Sequence, residues 1–207
     1  FATMSHHFRG DAEAAGRYAT EGIALCDEFR IPGWGAGIEA TLGWAQFKQG
    51  AGAESIAQLI AGMNRWRSEG NMVYWPWFLT LRAEAEMYLG NHDEALAIVS
   101  DGLSLSARTG EHWVDADLLR LRGEILLAQS ADEKVTAEAV FHQALEMARG
   151  HRSVLLELRA TRSLCRLWAD QGKHSEAKKM LQPIFGKFTE GFSTPDLLEA
   201  KALLDAL

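Results

Sequence analysis

Gly90-Asn91-His92-Asp93-Glu94-Ala95-Leu96 reads as the end of one helix and the start of the next. A glycine stops the first helix. Asn91 with Glu94 three positions on has the form of a capping box, and Ala95 and Leu96 open an apolar stripe that continues at Val99 and Leu103. The turn recurs. Gly10, Gly50, Gly90, Ser130 and Gly172 hold the same place, and the numbering steps from each to the next are 40, 40, 40 and 42. Five positions further on, Ala15, Ser55, Ala95, Ala137 and Ala177 are all small, and their spacing puts a two-residue insertion between Ser130 and Ala137. A fixed period of this length marks a repeat architecture, in which each unit buries its apolar face against the next.

Two more series of small residues run inside the helices. Gly22, Gly62, Gly102 and Ala144 follow the turns, and Gly43, Ala83, Gly123 and Cys165 precede them. The last repeat departs at Pro183-Ile184, so its final helix is expected to pack differently. An interior helical glycine costs roughly 0.8 to 1 kcal/mol against alanine, and several would consume much of a domain's ~5 to 15 kcal/mol of stability. Close approach of paired helices must offset that penalty, with bulky neighbours filling the grooves. Leu118, Leu121, Ile125 and Leu126 keep the helical spacing, and no sustained period-two alternation occurs. The expected fold is therefore all-α, a right-handed α-superhelix of antiparallel helix pairs without sheet. First helices are predicted near 34–49, 74–89, 112–129 and 154–171, and their partners near 11–29, 52–68, 91–108, 135–149 and 173–187. The whole of 1–207 becomes one repeat array: a partial repeat over 1–29, repeats over 33–69, 73–109, 112–149 and 153–188, and a capping helix over 195–206 opened by Thr194-Pro195-Asp196.

Leu42-Gly43 followed by Gly50, Ser55, Leu59 and Gly62, together with the Gly90–Leu96 turn, resembles the tetratricopeptide (TPR) repeat, a helix-turn-helix unit with a W-x2-L-G-x2-Y…A signature. The period of 40 in place of 34 implies longer helices. Ala40 and Trp44 stand where that family's clamp for acidic C-termini carries a Lys and Asn pair, so chaperone-tail binding is not expected. A narrower resemblance rests on Gly110-Glu111-His112-Trp113, Leu121-Arg122-Gly123-Glu124-Ile125-Leu126-Leu127, Phe141-His142-Gln143-Ala144-Leu145 and Phe188-Thr189-Glu190-Gly191-Phe192-Ser193-Thr194-Pro195-Asp196-Leu197. These strings are similar to the C-terminal repeats of bacterial multidomain proteins that carry an adenylate cyclase domain and an AAA-type (STAND) ATPase. The resemblance implies a signalling context and transfers no catalytic residue.

The balance of 28 acidic against 21 basic residues, a formal net charge of −7, argues against nucleic acid as a partner, because phosphate-backbone binding is driven by cationic side chains. Nothing approaches the ~18 apolar residues of a membrane span, so no membrane partner is expected. Cys26 and Cys165, far apart in sequence and each within an apolar helical pattern, read as free thiols of a reducing, cytoplasmic compartment. The opening Phe1-Ala2-Thr3-Met4 suggests a piece of a longer protein, with Phe1, Met4 and Phe8 exposed at a truncated end open to a homodimer contact. Gly33-Trp34-Gly35-Ala36-Gly37 lacks both a preceding strand and the Gly-Lys-Ser/Thr of a phosphate loop. Seven histidines offer no i, i+4 pair with an acidic third ligand, and no G-x-S-x-G or H-E-x-x-H occurs. The reading is non-catalytic, with no metal and no cofactor.

In stacked helix pairs the first helices line the concave wall. The register places Trp44 and Lys48 there, then Trp77, Thr80, Glu84 and Tyr88, then Asp117, Arg120 and Glu124, and finally Arg159, Arg162 and Arg166. Across the longer repeat step Asp117 aligns with Arg159 and Glu124 with Arg166, so neighbouring helices present opposite charges. One reading makes these ion pairs that fix the stacking. The other has the surplus arginines capture a carboxylate or phosphate of a ligand. Trp34, Trp75 and Trp113 read as wedges between repeats, and Trp44 and Trp77 as the aromatic binding candidates. The function expected is a protein-interaction or regulatory arm of a bacterial signalling protein, binding a protein, a peptide or other domains of its own full-length chain. The alternative is a small-molecule sensor relaying occupancy to an upstream ATPase or cyclase.

Overall fold

A computed structural model describes residues 1–31 and 33–207. The described residues are all-α, with no strand among them, and form two compact units, Phe1–Ala85 and Glu86–Leu207. The first unit contains α1 (Ala2–Phe8), α2 (Ala12–Glu28), α3 (Trp34–Lys48), α4 (Ala53–Ser68) and most of α5 (Trp75–Tyr88). In the second, α6 (His92–Thr109), α7 (Asp115–Gln129), α8 (Lys134–Gly150), α9 (Val154–Asp170), α10 (His174–Phe185) and α11 (Pro195–Ala206) follow one another.

The small-residue series are seats for neighbouring helices. A Cβ added at Gly43 would come within 3.0 Å of the backbone of Ser55 and Leu59, and one at Gly62 within 3.0 Å of the backbone of Ala36 and Ala40. As α3 runs forward α4 runs back, so the two are antiparallel and in backbone contact. Gly16 against Ala45 and Gln49, and Gly22 against Ile38, show the same antiparallel run between α2 and α3. In the second unit the glycines seat side chains instead: Gly102 lies under Leu118 and Gly123 under the Phe141 ring. Phe141 is fully buried among Leu119, Ala144, Leu145, Ala160 and Leu164, which joins α7, α8 and α9 in one core. Leu158, Leu181, Ile184, Leu197 and Ala200 do the same for α9, α10 and α11.

The turn series has a conformational cause. Gly90 sits at φ +79°, in the left-handed region, as do Gly10, Gly50 and Gly172. Ser130 does not enter that region. Its backbone is extended, at φ −155°, its hydroxyl accepts from the Asp132 N–H, and a 3-10 turn over Ala131–Glu133 takes up the two-residue insertion. The opposite connections carry a second left-handed series that sequence reasoning missed: Arg30, Gly70, Gly110 and Arg152, at φ +50°, +83°, +79° and +54°. Of the capping signals, the Asn91 side chain caps nothing and donates instead to Glu86 Oε2 at 2.9 Å. Asp11 and Ser153 do cap, accepting from the Ala14 and Leu156 N–H groups.

Helix α1 adds to the predicted elements. Its buried residues are Thr3, which stands one repeat period before Gly43, and His7. This makes α1 the short first helix of the leading pair.

Gly43→Ala is expected to destabilise the chain by about 1 to 3 kcal/mol in urea unfolding despite alanine's better helix propensity, because helix backbone must move. Gly150→Ala, whose Cβ would meet nothing within 4 Å, is expected to change stability by no more than about 0.5 kcal/mol. Arg152→Gly is expected to raise stability by about 1 kcal/mol in the same assay, relieving a left-handed residue that has a Cβ.

Candidate interaction site on the first helices

Within each unit, odd-numbered helices are tied to the next odd-numbered helix by the polar side chains that the register singles out. In the first unit, Trp44 of α3 donates its indole N–H to Glu84 Oε2 of α5 at 3.0 Å, and Lys48 Nζ reaches Glu84 Oε1 at 2.8 Å. Burial pushes the Glu84 carboxyl upward, but the Lys48 charge and the bonds from Lys48 and Trp44 outweigh it and hold the group below its ordinary value. Thr80 turns inward, donating to the Trp77 carbonyl at 2.7 Å. Trp44 and Trp77 are 2 % and 3 % exposed. They lie under α1: His7 Nδ1 accepts the Trp77 indole N–H at 3.1 Å, and the His7 ring packs edge-on against Trp44 at 4.6 Å. The two tryptophans are thus floor rather than open surface, because α1, which had no place in the helix prediction, packs over them. Tyr88, by contrast, is 71 % exposed.

In the second unit α9 is the hub. Arg159 reaches Asp117 of α7 at 3.5 Å and Asp196 of α11 at 2.9 Å. Arg162 pairs with Asp196 at 2.9 Å and with Glu199 at 3.4 Å, and Arg166 with Glu199 at 2.8 Å. Arg120 bonds Asp117 at 2.7 Å on its own helix. The aligned pair Asp117–Arg159 is present. Glu124 and Arg166 go elsewhere: Glu124 takes the Ser163 hydroxyl and lies 4.0 Å from Arg120, while α11 supplies Glu199 to Arg166. Asp196 is buried, which alone would raise its pKa, yet Arg159 and Arg162 hold it below the usual carboxylate range. The surplus arginines have captured a carboxylate, and it belongs to this chain.

Other expectations resolve as follows. Trp75 is buried under Arg67, Trp113 is half-buried and Trp34 largely exposed. Phe1 is exposed at 76 %, whereas Met4 and Phe8 are half-buried. Cys26 and Cys165 are free and buried, and burial pushes the Cys165 thiol up to about 12, where it donates to the Ala177 carbonyl at 3.2 Å. Among the described residues no cluster of three or more His, Cys, Asp or Glu is placed to hold a metal ion, and no helix is long and apolar enough to cross a membrane. A cleft in the first unit, walled by Trp34, Trp66, Tyr74, Trp77, Phe78 and Met4, has about 40 Å³ of interior room.

The sequence matches no family model and no curated protein. Its folded chain does have solved counterparts. Two crystal structures of a kinesin light chain-like protein of Podosopora anserina, with nearly identical TPR-like repeats, superimpose with TM-scores of 0.58 and 0.56 at 16 % and 15 % identity. Each likeness covers 88 % of this chain and 89 % of the other, and the first is to a point variant of that protein. The fold is TPR-like. At this identity the likeness carries architecture alone.

Asp196→Ala leaves Arg159 and Arg162 buried without their shared carboxylate and is expected to lower stability by about 3 to 5 kcal/mol in urea unfolding. The wild type also has a definite acid limb. A carboxyl whose folded pKa is depressed stabilises fully above its unfolded value and loses that contribution as pH falls through the folded one. Because Asp196, Glu84 and Glu157 are all depressed, their contribution is held above about pH 4 and lost below it. The Asp196→Ala variant is expected to show a shallower acid limb than the wild type.

Proposed function

We propose that the chain is a non-catalytic scaffold that binds a protein or peptide partner through the walls of its first helices. The observation that supports this reading is the set of charged side chains pinned there with ends in solvent. The Lys48 and Arg166 side chains are 40 % and 47 % exposed, and each is held by a carboxylate on a neighbouring odd-numbered helix, Glu84 and Glu199. Groups fixed in this way lose little further rotamer freedom on binding. The TPR-like fold favours the same reading, since helical repeats present extended surfaces. The aromatic cleft, at about 40 Å³, is far below the ~300 to 1,000 Å³ of a typical small-molecule site, so that cleft as it stands does not favour a diffusible ligand.

The finer proposal is an interaction arm of a bacterial, cytoplasmic signalling protein that carries a cyclase or ATPase elsewhere in its chain, made on the strings around Gly110, Leu121, Phe141 and Phe188. The whole of 1–207 would then act as one repeat array.

Selection of displayed peptides on the immobilised chain tests the binding surface. Enriched peptides are expected to bind Lys48→Ala or Arg166→Ala about tenfold more weakly than wild type, and Lys178→Ala, an exposed second-helix control, with unchanged affinity. Failure to enrich any peptide, or equal loss in all three variants, overturns the assignment of the binding surface.

A further inference from the structure

Helix α1 is seven residues long and buries only Thr3 and His7. So short a helix has little stability of its own, and its docking depends on tertiary contacts. One of these is chemically unusual. An indole N–H can only donate, so the 3.1 Å bond from Trp77 requires His7 Nδ1 to be the bare nitrogen, with the ring proton on Nε2. The contact therefore specifies neutral imidazole.

Protonation of His7 would set an N–H of the ring against the N–H of Trp77, two donors in a buried space with the His7 ring already packed on Trp44, Trp77 and Phe8. Charged groups face this ring from more than one element. From α5, Glu84 lies close enough for the His7 charge to bear on it, and that carboxylate is already shared by Trp44 and by Lys48 of α3. On the α2 side stand Asp11 and Tyr18, and both are engaged by the neighbouring His6, through a 3.3 Å contact and a ring stack at 5.1 Å. Arg9 adds a cation immediately after α1. Glu84 attracts a charged His7 but is already engaged by Trp44 and Lys48; against that attraction stand the lost bond to Trp77 and the two buried N–H groups left facing each other.

We propose that His7 is a pH-dependent latch: α1 covers Trp44 and Trp77 while the imidazole is neutral and lifts from them when the ring takes a second proton. The floor it uncovers is a pair of indoles on the first helices, together with the aromatic cleft that Phe1, Thr3 and Met4 of the same segment roof.

NMR of the intact chain between pH 8 and pH 5 tests this across the ordinary histidine range near 6.5. The His7 ring nitrogens are expected to report the Nε2–H tautomer at pH 8 and a doubly protonated ring at pH 5. The Trp77 indole N–H resonance should move with the same midpoint. Amides of residues 2–8 should lose at least about tenfold in protection once intrinsic exchange is allowed for. His7→Asn puts an amide oxygen near the Nδ1 place and cannot take the proton, so the step should vanish there and survive in His6→Gln. A step that persists in His7→Asn overturns the proposal. So does a wild-type α1 that stays protected while His7 titrates, or a His7 that remains neutral at pH 5; these two readings need no variant.

Discussion

The absence of a Cβ at Gly43 and Gly62 sets the geometry of the first unit. Each glycine seats the opposite helix, Gly43 taking the turn Ser55–Leu59 of α4 and Gly62 the turn Ala36–Ala40 of α3. Two reciprocal seats, one on each helix, fix the axial register of the pair and its rotation together, since sliding or turning either helix drives a side chain into backbone. Once α3 cannot rotate, Trp44 and Lys48 must face α5, and Glu84 can meet both. The second unit relaxes the device. There Gly102 and Gly123 accept a leucine and a phenylalanine ring, so the helices stand further apart and the inserted side chain carries the packing. The penalty of an interior glycine is thus offset by backbone contact at one end of the chain and by a buried side chain at the other.

Polar ties between first helices then decide what the repeat can present. An isolated exposed ion pair contributes roughly 0 to 1 kcal/mol, and Lys48–Glu84 belongs near that range. The Arg159–Asp196–Arg162 group is different, because its members are buried and each oxygen of Asp196 has a guanidinium partner. Such a group contributes more to specificity than to net stability: any other placement of α11 takes both carboxylate partners from Arg162 and one from Arg159. It also explains why an arginine row, which resembles a receptor for anions when read along one helix, is occupied from within.

Much of this was legible, and the gaps have physical causes. Helix bounds followed from the turn glycines because the left-handed conformation they adopt is one that other residues resist. The same conformation at Arg30 and Arg152 was invisible for the converse reason, since arginine gives no sign of φ above zero and the packing imposes it. Asp117–Arg159 could be read from the repeat step because both partners keep the register. Asp196 could not, because its separation from Arg159 is out of step with the period, on a closing helix whose neighbours differ from those of every other repeat. The signal for α1 was present: Gly10 ends a helix in the turn series, and Thr3 falls one full period before Gly43. Its consequence, two tryptophans roofed rather than open, needed the fold.

The two units also differ in what acid does to them. Ties in the second unit end on carboxylates that arginines hold ionised, so they persist until the solution is acidic enough to protonate Asp196 and Glu157 against their cations. In the first unit the Trp44 bond ends on a carboxylate of the same kind, Glu84, while the Trp77 bond ends on an imidazole. Both acceptors satisfy an indole equally well at neutral pH, but carboxylates and imidazoles surrender to protons roughly two pH units apart. Within the first unit the two indole bonds therefore answer to different acidities, while the α3–α4 seat, which rests on glycine packing, depends on neither.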